Sequence, residues 1–198
     1  PATILETSKQ GLRVKLGDGS PSKGEPSIKV TLYQGIPKSS KMDFIIQKCV
    51  ELGVHRIVPM ETARTITKLS EPKKTSKKIA RWQKISQEAA KQSKRGIIPS
   101  VDMSTTYAHT IRLAPHSTKI ILWEGERNLG LKKYLDSTRD GDDIGIIIGP
   151  EGGLDYEEVA LAKEFGWETI TLGPRILRTE TAGMATLAAI MFYMEEMK

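Results

Sequence analysis

Two glycine-opened bends, each closing a short apolar run and separated by one helix's length of chain, restrict this sequence more than any other feature. The apolar run at residues 144–148 breaks at Gly149-Pro150 and continues as Glu151-Gly152-Gly153. Asp155, followed by Glu157 and Glu158, reads as a helix N-cap with an acidic first turn. Residues 168–172 predict a second short strand, Gly173-Pro174 a second break, and Thr179 the cap of the helix that closes the chain. The two bends are expected to leave neighbouring strands. Lacking Cβ, glycine lets main-chain N–H and C=O groups approach a flat or anionic ligand; the same residues also suit tight turns in an α/β sheet. Neither G-x-G-x-x-G nor G-x-x-x-x-G-K-[ST] occurs, which argues against a dinucleotide fingerprint and a P-loop.

Charge is divided along the chain. The net +6 comes from 20 Lys and Arg against 8 Asp and Glu in residues 1–100, and 10 against 16 in residues 101–198. Clustered cations neutralise phosphates, so the first half is expected to meet a polyanion, a solvated surface being the alternative. With 38% hydrophobic residues and no long apolar run, the chain reads as soluble, without a membrane partner. Cys49 is the only cysteine, so no internal disulfide and no thiolate zinc cluster is expected, and a cytoplasmic location follows.

Residues 2–16 read as short strands ending in a Gly-Asp-Gly-Ser-Pro turn, and residues 17–27 as a linker. Opening on Pro1, the chain reads as a fragment. Strands are expected at 28–32, 55–60 and 119–123, with a strand-like stretch at 96–101. A helix from Met42 through Ile45, Ile46, Cys49 and Leu52 stops at Gly53, which makes Cys49 a core residue. Residues 72–95 predict a long cationic helix with a narrow apolar stripe at Ile79, Trp82, Ile85 and Ala89. An irregular helix is expected at 103–113 and a short one at 129–135. His55 reads as a surface or turn residue, His109 and His116 lack metal-ligand spacing, and no metal is expected.

With both bends in order, Gly149-Pro150-Glu151-Gly152-Gly153 and then Leu172-Gly173-Pro174-Arg175-Ile176-Leu177-Arg178-Thr179-Glu180-Thr181-Ala182, the chain resembles the RsmE-type ribosomal RNA uridine-N3 methyltransferases of the SPOUT superfamily. Arg81-Trp82-Gln83-Lys84-Ile85 and the segment 88–93 extend the resemblance, although Lys91 stands where relatives carry an acidic or neutral residue. The resemblance implies an α/β fold, a mostly parallel sheet flanked by helices and tied in a SPOUT-type knot. It further implies that residues 1–25 are the last strands of a PUA-like RNA-binding β-barrel and residues 26–198 the methyltransferase domain, and that the molecule is a homodimer acting on small-subunit ribosomal RNA.

By the same resemblance the cofactor is S-adenosylmethionine, surrounded by three loops. The first offers Leu122, Glu124 and Gly125. The second offers Ile148, Gly149, Pro150, Glu151, Gly152 and Gly153, and the third Leu172, Gly173, Ile176, Leu177 and Ala182. Uridine N3 must lose a proton before it attacks, which nominates Arg178, then Arg175, to stabilise the anion and Glu180 to accept the proton or orient Arg178, with Glu151 as an alternative. Arg64, Lys68, Arg81, Lys84 and Arg95 are the expected phosphate contacts. Two other readings compatible with the same residues are a non-catalytic RNA-binding or assembly protein on the same scaffold and a SPOUT methyltransferase acting on another RNA nucleotide.

Overall fold

The structure, a computed structural model, describes residues 2–19, 22–69, 72–103, 105–137 and 143–197. Ser20 and Pro21, the end of the expected turn, lie outside them. An antiparallel hairpin comes first, β1 (Ala2–Ser8) paired with β2 (Gly11–Leu16). All of its strand residues are exposed, including Ile4, Leu5, Leu12, Val14 and Leu16.

Strand and helix then alternate. In order come β3 (Lys29–Gly35), α1 (Lys41–Glu51), β4 (Arg56–Glu61), α2 (Pro72–Gln92), β5 (Ser100–Val101), β6 (Thr105–Thr106) and α3 (Tyr107–Leu113). There follow β7 (Thr118–Leu122), α4 (Leu131–Ser137), β8 (Asp143–Ile148), α5 (Tyr156–Glu164), β9 (Glu168–Ile170) and α6 (Thr179–Tyr193). Seven of these strands make one sheet in the order β5-β4-β3-β8-β7-β9, with β6 also paired to β4, and every pairing is parallel.

A parallel sheet covered on both faces needs apolar residues pointing both ways, which explains why β8 carries isoleucine at 144, 146, 147 and 148. Ile144, Ile146 and Ile148 join Val30, Leu32 and Ile120 in a core closed by side chains of α1, α2, α4 and α6. Ile147, Ile121 and Tyr33 point to the opposite face, against Ile111 of α3, Val159 of α5 and Trp167. Cys49 lies in the first core, fully buried, where desolvation pushes its thiol up to about 12 and leaves no reactive thiolate at neutral pH. His116 has a structural task that its spacing did not reveal. Its Nε2 lies 2.8 Å from the Tyr33 hydroxyl and its Nδ1 2.7 Å from Asp143 Oδ1. Burial lowers its pKa despite the Asp143 carboxylate, so it bridges the two as a neutral ring.

Two expectations are corrected. The glycine bends do not leave neighbouring strands, because β7 lies between β8 and β9 and pairs with both. Thr179 is not the cap of α6: Arg178 occupies that position without a side-chain cap bond, and Thr179 turns its hydroxyl inward to the Gly149 carbonyl at 2.6 Å. By contrast, α5 begins at Asp155 with a full capping box, Asp155 accepting from the helix backbone and Glu158 accepting from the Asp155 N–H.

Candidate active site

The ends of β7, β8 and β9 open onto a cavity of about 380 Å³, at the carboxyl edge of the sheet where open α/β folds take ligands. Three loops wall it. Leu122, Trp123, Glu124, Glu126 and Arg127 come from the loop after β7; Ile148, Gly149, Pro150, Glu151, Gly153 and Leu154 follow β8. Residues 171–180 follow β9, and Lys41 and Ala182 complete the lining.

The loop after β8 is held from several directions. A Cβ on Gly149 would lie 2.9 Å from the Gly153 carbonyl carbon, so only glycine permits this turn. The Gly153 N–H bonds the Pro150 carbonyl at 2.9 Å. Arg64 donates to the Gly152 carbonyl at 2.9 Å and to Asp155 at 3.2 Å. From below, buried Gln34 donates through Nε2 to the Thr179 hydroxyl, which passes the bond on to the Gly149 carbonyl. Glu151 accepts from the Lys38 N–H at 3.1 Å and pairs with Lys41 at 3.1 Å. Burial works to raise the Glu151 carboxyl, but its own N–H, the Lys41 ammonium and the Lys38 N–H outweigh it and hold it below the usual carboxylate range.

The loop after β9 is anchored at its start, where Thr171 exchanges backbone bonds with Leu129 and Leu131, and beyond that it is tied mainly to itself. Gly173 has φ +110°, a conformation that L side chains rarely adopt, and its N–H and C=O both bond the Thr171 hydroxyl at 3.1 Å. Residues 173–176 are exposed, Ile176 to 78%. Arg175 and Arg178 line the cavity without an ion pair among the described residues, as does Arg127. In the loop after β7, Glu126 accepts from the N–H groups of Asn128, Arg127 and Leu129 and from the Thr169 hydroxyl. The Asn128 N–H leads these bonds in bringing its carboxyl down to about 2.

The structure gathers Arg175, Arg178 and Glu180 with Leu122, Glu124, Ile148, Gly149, Pro150, Glu151, Gly153, Leu172, Gly173, Ile176, Leu177 and Ala182 around one cavity. Gly125 and Gly152 stand behind the lining: Gly125 packs on the Trp123 ring and Gly152 on the Arg64 side chain. Lys41, Trp123, Glu126, Arg127 and Thr179 were not anticipated. Lys41 and Thr179 reach the site from helix starts far apart in sequence; no local pattern marks Lys41, and Thr179, although inside the second loop's signature, read as a helix cap.

The expected phosphate contacts divide. Lys68 and Lys84 are exposed; Arg64 is engaged with the loop after β8 and Arg81 with Asp43. Arg95 is a correction. Its side chain is 3% exposed, paired with Glu25 at 2.8 Å and bonded to the carbonyls of Val50 and Val54, so it cannot meet a phosphate and instead fastens the end of α1 to the preceding linker. Burial tends to raise the Glu25 carboxyl, yet the Arg95 bond and the Ile97 N–H leave it lowered.

The RNA methyltransferase domain family matches residues 24–191. The chain belongs to that family. It is 39% identical to the ribosomal RNA small subunit methyltransferase E of Bacillus subtilis (strain 168), over 86% of this chain and 68% of that protein. A Legionella pneumophila methyltransferase solved with bound SAM superposes with a TM-score of 0.82 at 32% identity, covering 97% of this chain and 77% of that one. The ribosomal RNA small subunit methyltransferase E of Neisseria gonorrhoeae, bound to S-adenosyl methionine, gives 0.80 at 32% over the same shares. The parallel sheet with its flanking helices is thus the SPOUT-type fold that the loop resemblance implied. Among the described residues, no helix is long and apolar enough to cross a membrane, and no group of three or more His, Cys, Asp or Glu could hold a metal ion.

Proposed function

We propose that this chain is an S-adenosylmethionine-dependent methyltransferase that places a methyl group on N3 of a uridine in small-subunit (16S) ribosomal RNA. The observation that carries this reading is the cavity itself, where two glycine loops present main-chain groups beside apolar walls while Arg175, Arg178 and Glu180 stand on the same lining. Those residues fit the cofactor. Leu122, Ile148, Leu172, Ile176 and Leu177 suit the faces of an adenine ring, and the main chain around Gly149, Gly153 and Gly173 can reach its polar edge and the ribose. When bound, the donor supplies an electrophilic methyl carbon whose bond to sulfur breaks, the electron pair leaving on sulfur, as the N3 lone pair forms the new bond.

The protein's own residues have a narrower task. Glu180 accepts the N3 proton, and the unpaired guanidinium of Arg178, with Arg175 second, stabilises the imide charge that remains. The target base must be extruded to reach the cavity. Lys68 and Lys84, exposed on the cationic half, are the phosphate contacts that this reading retains.

The same reading makes the molecule a cytoplasmic, knotted homodimer in which α6, with Phe192 exposed, supplies part of the subunit contact. It assigns residues 1–25 to a PUA-like barrel, supported by a hairpin whose apolar side chains are all uncovered.

The test is primer extension on 16S ribosomal RNA after incubation with the protein and S-adenosylmethionine. A stop beside a uridine is expected, since N3 methylation removes the pairing edge. Arg178→Ala should lower the rate about 10²–10³-fold, the scale of one lost anion-stabilising donor, with cofactor affinity nearly unchanged. A modified nucleotide other than uridine would reject the assignment.

A further inference from the structure

Lys41 stands at the first position of α1, more than a hundred residues from either glycine bend, yet its ammonium lies between two carboxylates of the cavity wall. Its Nζ is 3.1 Å from Glu151 Oε1, on the loop after β8, and 3.4 Å from Glu180 Oε2, on the first turn of α6. The two acids differ in what remains free. Both oxygens of Glu151 accept from the Lys38 N–H, and Oε1 also meets Lys41. Glu180 Oε2 is buried and, although within ion-pair reach of Lys41, makes no hydrogen bond of good geometry among the described residues. A buried carboxylate oxygen without a donor is costly unless something approaching it supplies one.

We propose that Lys41 is a positioning residue for methyl transfer, holding the Glu180 carboxylate turned so that its unmet oxygen receives the proton of the target imide. The inference rests on the uridine-N3 reading above. In balance, the N3–H bond breaks and its electron pair stays on nitrogen to form the bond to the methyl carbon, whose bond to the donor sulfur breaks with its pair left on sulfur, while the proton passes to Glu180 and later to solvent. Glu151 is the counterweight. By sharing the ammonium it ties the glycine loop to the same point, so the cofactor wall and the proton acceptor keep one spacing. The Glu151 bond is also the foremost reason that the Lys41 ammonium is held above the ordinary lysine range, so the bridge stays charged.

The experiment compares Lys41→Met and Lys41→Arg with the wild type in single-turnover methylation of two RNAs, one carrying uridine at the target and one carrying 5-fluorouridine, whose N3 proton is more acidic. Lys41→Met should slow transfer about 30-fold on uridine and only about 3-fold on 5-fluorouridine, because a substrate that ionises more readily needs less from the acceptor. Lys41→Arg should stay within about threefold of the wild type, a guanidinium reaching both carboxylates. Lys41→Met also removes one brace of the loop after β8, so calorimetric cofactor affinity should fall by no more than about 10-fold, with transfer compared at saturating cofactor, and the melting temperature should barely move in either variant. Equal losses on the two RNAs, or a loss explained by weaker cofactor binding, would overturn the positioning role while leaving the proposed function intact. Failure of the wild type to methylate uridine at all would instead reject that function.

Discussion

The two glycine loops look alike in sequence and are built differently. The loop after β8 is braced from β3 through Gln34 and Thr179, from the loop before α1 through Lys38, from the start of α1 through Lys41, and from the segment after β4 through Arg64. The loop after β9 leans on Thr171 and presents residues 173–176 to solvent. One therefore acts as a fixed wall against which a ligand is registered, and the other as a surface able to adjust when ligand and RNA arrive. Preorganisation of the first reduces what binding must order, while the second can respond to what is bound.

The sharpest way to break this comparison is Gly149→Ala. The added methyl would press on the Gly153 backbone, and calorimetry should show S-adenosylmethionine affinity reduced about 100-fold, the result of distorting a wall with no room to yield. An unchanged affinity would mean that the loop is not fixed.

Glu126 tests the support beneath the looser loop, since its carboxylate ties the turn after β7 to Thr169 of β9. Glu126→Ala should cost about 2 kcal/mol in urea unfolding, several charge-assisted bonds being lost at once. The sign of its pH effect follows from a folded pKa of about 2 against 4.5. Its stabilisation is fully present above 4.5 and fades as pH falls towards 2. The variant's deficit relative to wild type should therefore shrink across that acid range.

A smaller effect is expected from Arg64→Ala, which removes one brace among several. Cofactor affinity should fall about 3-fold to 10-fold, with stability down by no more than about 1 kcal/mol for an exposed pair and one carbonyl bond. Smallest of all, Gly173→Ala meets open space and only a strained φ, so a loss of about 1 kcal/mol in stability and a change in cofactor affinity under about threefold are expected. If Gly173→Ala harmed binding more than Gly149→Ala, the assignment of fixed and adjustable walls would have to be exchanged.

Much of the site was legible because its parts are local. Asp155 with Glu158 announces a helix start within four residues, and the isoleucines of β8 announce a strand buried on both faces. Arg95 shows where such reading stops. It belongs to a cationic run and resembles its neighbours in every local respect, yet its partners Glu25, Val50 and Val54 lie 70, 45 and 41 residues away. Lys41 is the converse, an unremarkable lysine in sequence that the fold carries into the cavity wall.

The sequence alone determined most of the strands and helices, though not β6 inside the helix expected at 103–113, together with the two glycine bends and the chemistry available at each, because backbone preference, capping and side-chain period act over a few residues. Tertiary structure alone decided that β7 separates the strands bearing those bends, that Thr179 braces a loop instead of capping its helix, and which cations are buried, paired or free. Those outcomes depend on contacts between residues far apart in the chain, and their energies exist only once the parallel sheet has brought its carboxyl ends together.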